Sequence, residues 1–235
     1  MKKTAILVDG AFYRKRAFYL RGDKSPIDRA NELYVYCMAH IRDEGKDSDH
    51  REERELYRIF YYDCPPLKKT VYHPALKCGI DFGKSDTYRW ANAFFEELKK
   101  KRKVALRMGR LSNAGAHFAL SADATKALCR KERSVEDLTE SDFTISFNQK
   151  GVDMRIGLDI ASLAYKKQVD QIILLAGDSD FVPAAKLARR EGIDFILDPM
   201  EATIPKDLFE HIDGLKSCWK KREHKKMIMP IEKQD

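Results

Sequence analysis

Four aspartates stand where a ligand-binding crevice would use them. Asp9 closes the apolar run Thr4-Ala5-Ile6-Leu7-Val8. Asp153 lies in Lys150-Gly151-Val152-Asp153, and Asp178 and Asp180 lie in Gly177-Asp178-Ser179-Asp180-Phe181. Open parallel α/β sheets bind ligands outside the carboxyl ends of their strands. Carboxylates gathered there repel one another and raise one another's pKa values. A hard divalent cation, Mg²⁺ or Mn²⁺, takes oxygen ligands and removes the conflict. Such an ion serves in-line displacement at phosphorus. Each acid also has a plainer role as a turn former or helix cap. The pairing of Asp178 and Asp180 with Asp9 on a separate strand is the coincidence that the plainer role leaves unexplained. Asp159, six residues after Asp153, sits roughly 240° further round a helix and about 9 Å along it, too far to share one ion easily. It flanks the Ile156, Ile160 and Leu163 stripe, which makes it a support for the metal ligands or a structural salt bridge.

The elements that must position these acids follow from hydrophobic patterning. Residues 4–8, 57–62, 103–108, 143–147, 171–176 and 193–197 read as strands, the fifth being the most apolar. Helical spacing covers residues 30–42, 87–101, 153–167 and 183–191, with Pro183 in a first turn and Gly192 at a C-terminal stop. Strands alternating with helices predict an α/β fold, a mostly parallel central sheet with helices on both faces. The four acids converge if the first, fourth and fifth predicted strands are neighbours. One domain over residues 1–215 is expected, with insertions near 64–86 and 111–142 and a basic tail over 216–235.

Composition narrows the function classes. The chain has 235 residues with 44 Lys and Arg against 37 Asp and Glu, a net charge of +7, and 43% hydrophobic residues. That is enough apolar content for a core, and the basic balance favours a polyanionic partner. No apolar run approaches the roughly 20 residues that span a bilayer. Asp9 interrupts the first apolar stretch before it reaches the length of a secretory signal, so a cytoplasmic protein is expected. The five cysteines are scattered without a Cys-x-x-Cys pair, which argues against a disulfide framework or a zinc site. His40, His73, His117 and His211 fit no metal spacing.

Ile6-Leu7-Val8-Asp9-Gly10, Lys150-Gly151-Val152-Asp153, Leu158-Asp159 and Gly177-Asp178-Ser179-Asp180-Phe181-Val182-Pro183 together resemble the NYN domain, in the LabA-like branch of the PIN-like nucleases. The resemblance runs over roughly residues 4–215, continuously from Lys150 to Gly192. It implies a Rossmann-like PIN fold and metal-dependent hydrolysis of phosphodiester bonds, most often in RNA. It carries the metal-binding and catalytic role onto Asp9, Asp153, Asp178 and Asp180, and a phosphate contact onto Ser179. Ala11 stands where many such domains have Asn.

Substrate contacts are expected from Arg14, Arg16 and Lys150, cations close to the acids, with Phe12 and Tyr13 stacking on bases or else serving the core. The runs Lys99-Lys100-Lys101-Arg102-Lys103 and Lys220-Lys221-Arg222 with Lys225-Lys226 could follow a phosphate backbone. A basic helix end and a solvated tail are their plainer readings. Phosphomonoester hydrolysis with a nucleophilic Asp wants an Asp-x-Asp pair on the first strand, and Asp9-Gly10-Ala11 lacks it. A Toprim-type site wants Glu there. The expected function is therefore a Mg²⁺- or Mn²⁺-dependent endoribonuclease, with RNA favoured over DNA, no membrane partner, and room for a homodimer. The alternative is a nucleic-acid-binding or regulatory adaptor that keeps the fold without cutting.

Overall fold

A computed structural model describes residues 1–42 and 53–218. The chain runs β1 (Lys2–Asp9), α1 (Gly10–Arg21), α2 (Pro26–Arg42), β2 (Arg54–Asp63), β3 (Thr70–His73), β4 (Cys78–Asp81), α3 (Asp86–Lys99), β5 (Val104–Met108) and β6 (Arg110–Leu120). It continues through α4 (Ala122–Cys129), β7 (Phe143–Lys150), α5 (Val152–Tyr165), β8 (Gln171–Leu175), α6 (Val182–Arg190), β9 (Asp194–Asp198), α7 (Lys206–Phe209) and β10 (Gly214–Leu215). Six strands form one sheet in the order β10-β9-β8-β1-β2-β5, and every pairing in it is parallel. This is the α/β architecture expected, a Rossmann-type sheet of the PIN and NYN kind.

A strand covered on both faces needs apolar side chains in both directions, and β1 has them. Ala5, Ile6, Leu7 and Val8 are all fully buried. Ala5 and Leu7 pack with Ile156, Ile160 and Leu163 of α5 and Ala185 and Ala188 of α6. Ile6 and Val8 pack with Tyr13 and Ala17 of α1, Leu33 and Tyr36 of α2, and Phe94 and Leu98 of α3. Burying each large side chain contributes about 1.5–3 kcal/mol, so these two layers dominate the stability.

The chain leaves β1 toward β2 on one side, while β8 pairs with β1 on the other, Val8 facing Leu175 in register. The topological switch point therefore lies between β1 and β8, where such sheets open a crevice.

One expected strand sits elsewhere. Residues 143–147 belong to β7, which pairs antiparallel with β6 in a separate two-stranded ribbon and takes no place in the central sheet. Its half-buried, alternating residues suit a ribbon with one covered face, a pattern that periodicity alone does not separate from an edge strand. The hairpin of β3 and β4 packs beside it. Leu67, Val71 and Ala116, with Phe82, Leu111, Phe118, Ile145 and Phe147 against them, make a small satellite core between the two segments. Among the described residues no helix is long and apolar enough to cross a membrane.

Candidate nuclease site

Asp9 is the last residue of β1 and the N-cap of α1, its Oδ1 accepting from the backbone N–H of Ala11 at 3.0 Å and Phe12 at 3.2 Å. Asp178 caps the 3₁₀ turn Ser179–Phe181 that follows β8, its Oδ1 accepting from the Asp180 N–H at 3.1 Å. Asp153 stands in the first turn of α5, where the helix dipole favours a negative charge. Gly151 starts that helix with φ +82°, a left-handed conformation that glycine adopts without strain. So Asp153 reaches the crevice from the exit of the β6–β7 ribbon rather than from a central strand.

Asp9 feels the charge of Asp153, and Asp153 feels those of Asp178 and Asp180. Burial raises the Asp9 pKa, and the charge of Asp153 raises it further, against the hydrogen bonds from Phe12 and Ala11. Burial also raises the Asp153 pKa, with the charges of Asp178 and Asp180 next. Asp153, Asp178 and Asp180 are exposed and Asp9 is half-buried. Among the described residues no three His, Cys, Asp or Glu side chains are close enough together to hold one ion as they stand. Each cap uses one carboxylate oxygen and leaves another, and a set of anionic oxygens suits Mg²⁺ or Mn²⁺ in charge and chemistry. The donor set therefore fits a hard divalent cation.

Around this crevice the structure sorts the other expected residues. Phe12 is half-buried and its ring edge lies over Gly177, since a Cβ added there would come within 2.7 Å of Phe12 Cε2. It joins the Asp9 loop to the Asp178 loop. Tyr13 is fully buried and its hydroxyl donates to the Arg29 carbonyl at 3.4 Å, so it cannot stack on a base. Arg14 pairs with the buried Asp63 and also donates to the Tyr61 hydroxyl at 3.4 Å. Arg16 spends Nε and Nη2 on the Met200 carbonyl at 3.0 and 2.6 Å and lies over the Tyr19 ring. The reason is α1. A helix starting at Gly10 sends consecutive side chains about 100° apart, so residues 12–16 diverge where a loop would have kept them together.

Lys150 is exposed at the end of β7, beside the Asp153 turn. Ser179 donates to Asp207 at 3.2 Å, which engages its hydroxyl within the chain. Asp159 accepts from the Tyr62 hydroxyl at 2.8 Å and from Arg107 Nε at 3.1 Å. Tyr62 pairs in register with Asp9, so Asp159 ties α5 to β2 and β5 beside the crevice. The lysines at 99, 100, 101 and 103 bond to Glu96, Glu97, Asn31 and the Leu56 carbonyl. They precede β5, at the amino-terminal edge of the sheet, opposite the acids. The basic cluster at 220–226 lies outside the described residues.

Asp63 escapes the sequence reading. It ends β2, is 2% exposed, and accepts from Arg14, the Tyr61 hydroxyl at 3.0 Å and its neighbour's Cys64 N–H at 2.8 Å. The strand-end rule that selects Asp9 selects it too, once β2 is carried one residue past Tyr62. Gly10 is needed against it. A Cβ at Gly10 would fall 2.6 Å from Asp63 Oδ2 and 2.6 Å from the Tyr61 ring. Gly10→Ala is therefore expected to cost about 1–3 kcal/mol through overpacking, read as a lowered urea midpoint at unchanged slope; an unaltered midpoint would show that the Arg14–Asp63 pair moves aside freely.

No curated protein matches the chain. A crystal structure of a protein of unknown function from Vibrio parahaemolyticus is similar at 16% identity, with 91% of each chain covered and a TM-score of 0.44. Residues 81–213 match the family model of the NYN domain. That span holds Asp153, Asp159, Asp178 and Asp180, while Asp9 lies before it and joins them through the sheet. With more than half of its length matched by that model, the chain belongs to the NYN domain family.

Proposed function

We propose that the chain is a Mg²⁺- or Mn²⁺-dependent endoribonuclease that hydrolyses phosphodiester bonds, with Asp9, Asp153, Asp178 and Asp180 holding the cation. The observation that supports the reading is electrostatic: the acids come from three separate segments at the switch point, and beyond the effect of burial the charge of Asp153 raises the Asp9 pKa while the charges of Asp178 and Asp180 raise that of Asp153. An uncompensated acidic cluster is costly, and a cation compensates it. When bound, Mg²⁺ or Mn²⁺ supplies a Lewis acid for the phosphoryl oxygens and makes water a nucleophile at neutral pH.

The chain's own groups do the rest. The caps made by Asp9 and Asp178 fix the two loops on their strands. Phe12 holds those loops against each other. Lys150 and Arg155, both exposed on either side of the Asp153 turn, attract and orient the phosphate backbone. Asp159 supports the position of α5 through Tyr62 and Arg107.

The test incubates labelled single-stranded RNA and DNA with the protein, with Mn²⁺, with Mg²⁺ and with chelator. Internal cleavage of RNA that needs the cation is expected, with DNA cut more slowly. RNA that is retarded but stays intact with either ion would establish the adaptor in place of the nuclease.

A further inference from the structure

A second feature opens beside the acids. A cleft of about 310 Å³ lies between the central domain and the satellite core. Its walls include Pro66, Tyr88, Trp90, Phe95, Leu111 and Phe147. Arg14 and Cys64 line it at the carboxyl end of β2. A Cβ placed on Gly109 would touch Cys64 Sγ at 2.9 Å, the Lys150 carbonyl at 3.0 Å and Val152 Cγ2 at 3.0 Å. The cleft wall is thus in contact with the turn that carries Asp153. On the other side, Arg14, Thr87 and Trp90 also line a neighbouring hollow of about 340 Å³.

The walls are chemically uneven. Most are aromatic or aliphatic, and the site end carries a guanidinium held in place by Asp63 and Tyr61. Trp90 is fixed as well, its indole N–H donating to the Lys24 carbonyl at 3.0 Å and its ring stacking on Phe94 at 5.1 Å. Rigid aromatic rings and guanidinium planes are the surfaces on which unpaired bases stack. The volume is at the low end of the roughly 300–1,000 Å³ of small-molecule pockets, a size for one nucleoside rather than a helix.

We propose that this cleft receives one unstacked nucleobase of the substrate, from a nucleotide adjoining the scissile phosphate. The assignment rests on the nuclease reading and deepens it. It makes the substrate single-stranded at the cut, because a paired base cannot enter. Tyr88 and Phe147 are specificity-determining residues for the base, and Arg14 is a positioning residue at the boundary between base and phosphate.

The test uses the full chain carrying Trp219→Phe, so that Trp90 alone reports. Nucleoside 5′-monophosphates are titrated in chelator, with ribose 5-phosphate as the base-free control. Saturable quenching of Trp90 by nucleotides, and none by ribose 5-phosphate, is the expected result. Tyr88→Ala should weaken the nucleotide by about tenfold. Leu111→Phe, which fills the cleft, should weaken it similarly while thermal melts of both variants stay cooperative. Equal response to ribose 5-phosphate overturns the proposal in favour of a phosphate site. A cleft that takes up the apolar dye ANS but no nucleotide is a protein-docking groove, and that too overturns it. If RNA is still cut with the cation while Trp90 ignores nucleotides, the base cleft fails and the nuclease reading stands. If RNA is neither bound nor cut, both fall.

Discussion

Asp178→Asn is expected to lower cation-dependent RNA cleavage at least about 100-fold while leaving the melting temperature nearly unchanged. The two halves of that expectation come from different atoms. Asp178 Oδ1 accepts the Asp180 N–H at 3.1 Å, and an asparagine oxygen makes the same bond. Asn and Asp are equivalent as caps, so the turn after β8 survives. What disappears is one negative charge among four, and with it a ligand of the kind a hard cation requires. A factor of 100 corresponds to about 2.7 kcal/mol of transition-state stabilisation, within what one lost electrostatic contact costs. Removing the Asp178 charge also takes away one of the two charges that add to burial in raising the Asp153 pKa. Single-turnover cleavage across a Mn²⁺ titration, alongside thermal melts, checks both halves. Undiminished cleavage by a well-folded Asp178→Asn protein would remove Asp178 from the metal site. A matching loss in Asp9→Asn would tie β1 to the same chemistry.

The largest effect on stability is expected at the carboxyl end of β9. Asp198→Ala should cost about 3–5 kcal/mol and lower the melting temperature by about 10 °C. Asp198 is fully buried and so is His40. The Asp198 carboxylate accepts from the Tyr36 hydroxyl, from His40 Nε2 at 2.7 Å, from Ser217 at 2.8 Å and from the Met200 N–H at 2.7 Å. Truncation leaves these donors without their acceptor, and a buried donor left unmade costs its full desolvation. The same carboxylate ties α2 to β9 and to the segment after β10, so the loss spreads over three parts of the chain. Tyr36→Phe removes one donor and keeps the charge, and should cost only about 1 kcal/mol. Chemical denaturation of the two variants separates the cases. Equal small losses would mean that the network contributes little beyond one hydrogen bond.

These two acids also mark how far reading the sequence reaches. Asp178 is legible because its strand is uniformly apolar and its loop carries two acids in three residues. Asp198 follows Ile193-Asp194-Phe195-Ile196-Leu197, a strand equally visible, yet nothing local says that Tyr36 and His40 will close over it. Those partners are about 160 residues away. Sequence proximity misleads in the opposite direction at residues 12–16. Arg14 and Arg16 adjoin Asp9 in the chain, but the turn of α1 commits one to Asp63 and the other to the Met200 carbonyl. The lysine run at 99–103 is conspicuous as a string of letters, and the sheet direction carries it to the edge opposite the acids.

By itself the sequence determined the α/β class, the parallel strands that build the sheet's centre, and the four acids with their loops. These depend on local quantities: apolar periodicity, a strand's last residue, a helix's first turn. Only the tertiary structure decided that β7 leaves the central sheet for a ribbon with β6, and that Asp63 holds Arg14. It alone formed the aromatic cleft beside the Asp153 turn. Each of those depends on pairings between residues far apart in the chain. Such pairings are selected by which faces bury together and which charges find partners, and no local pattern encodes that choice.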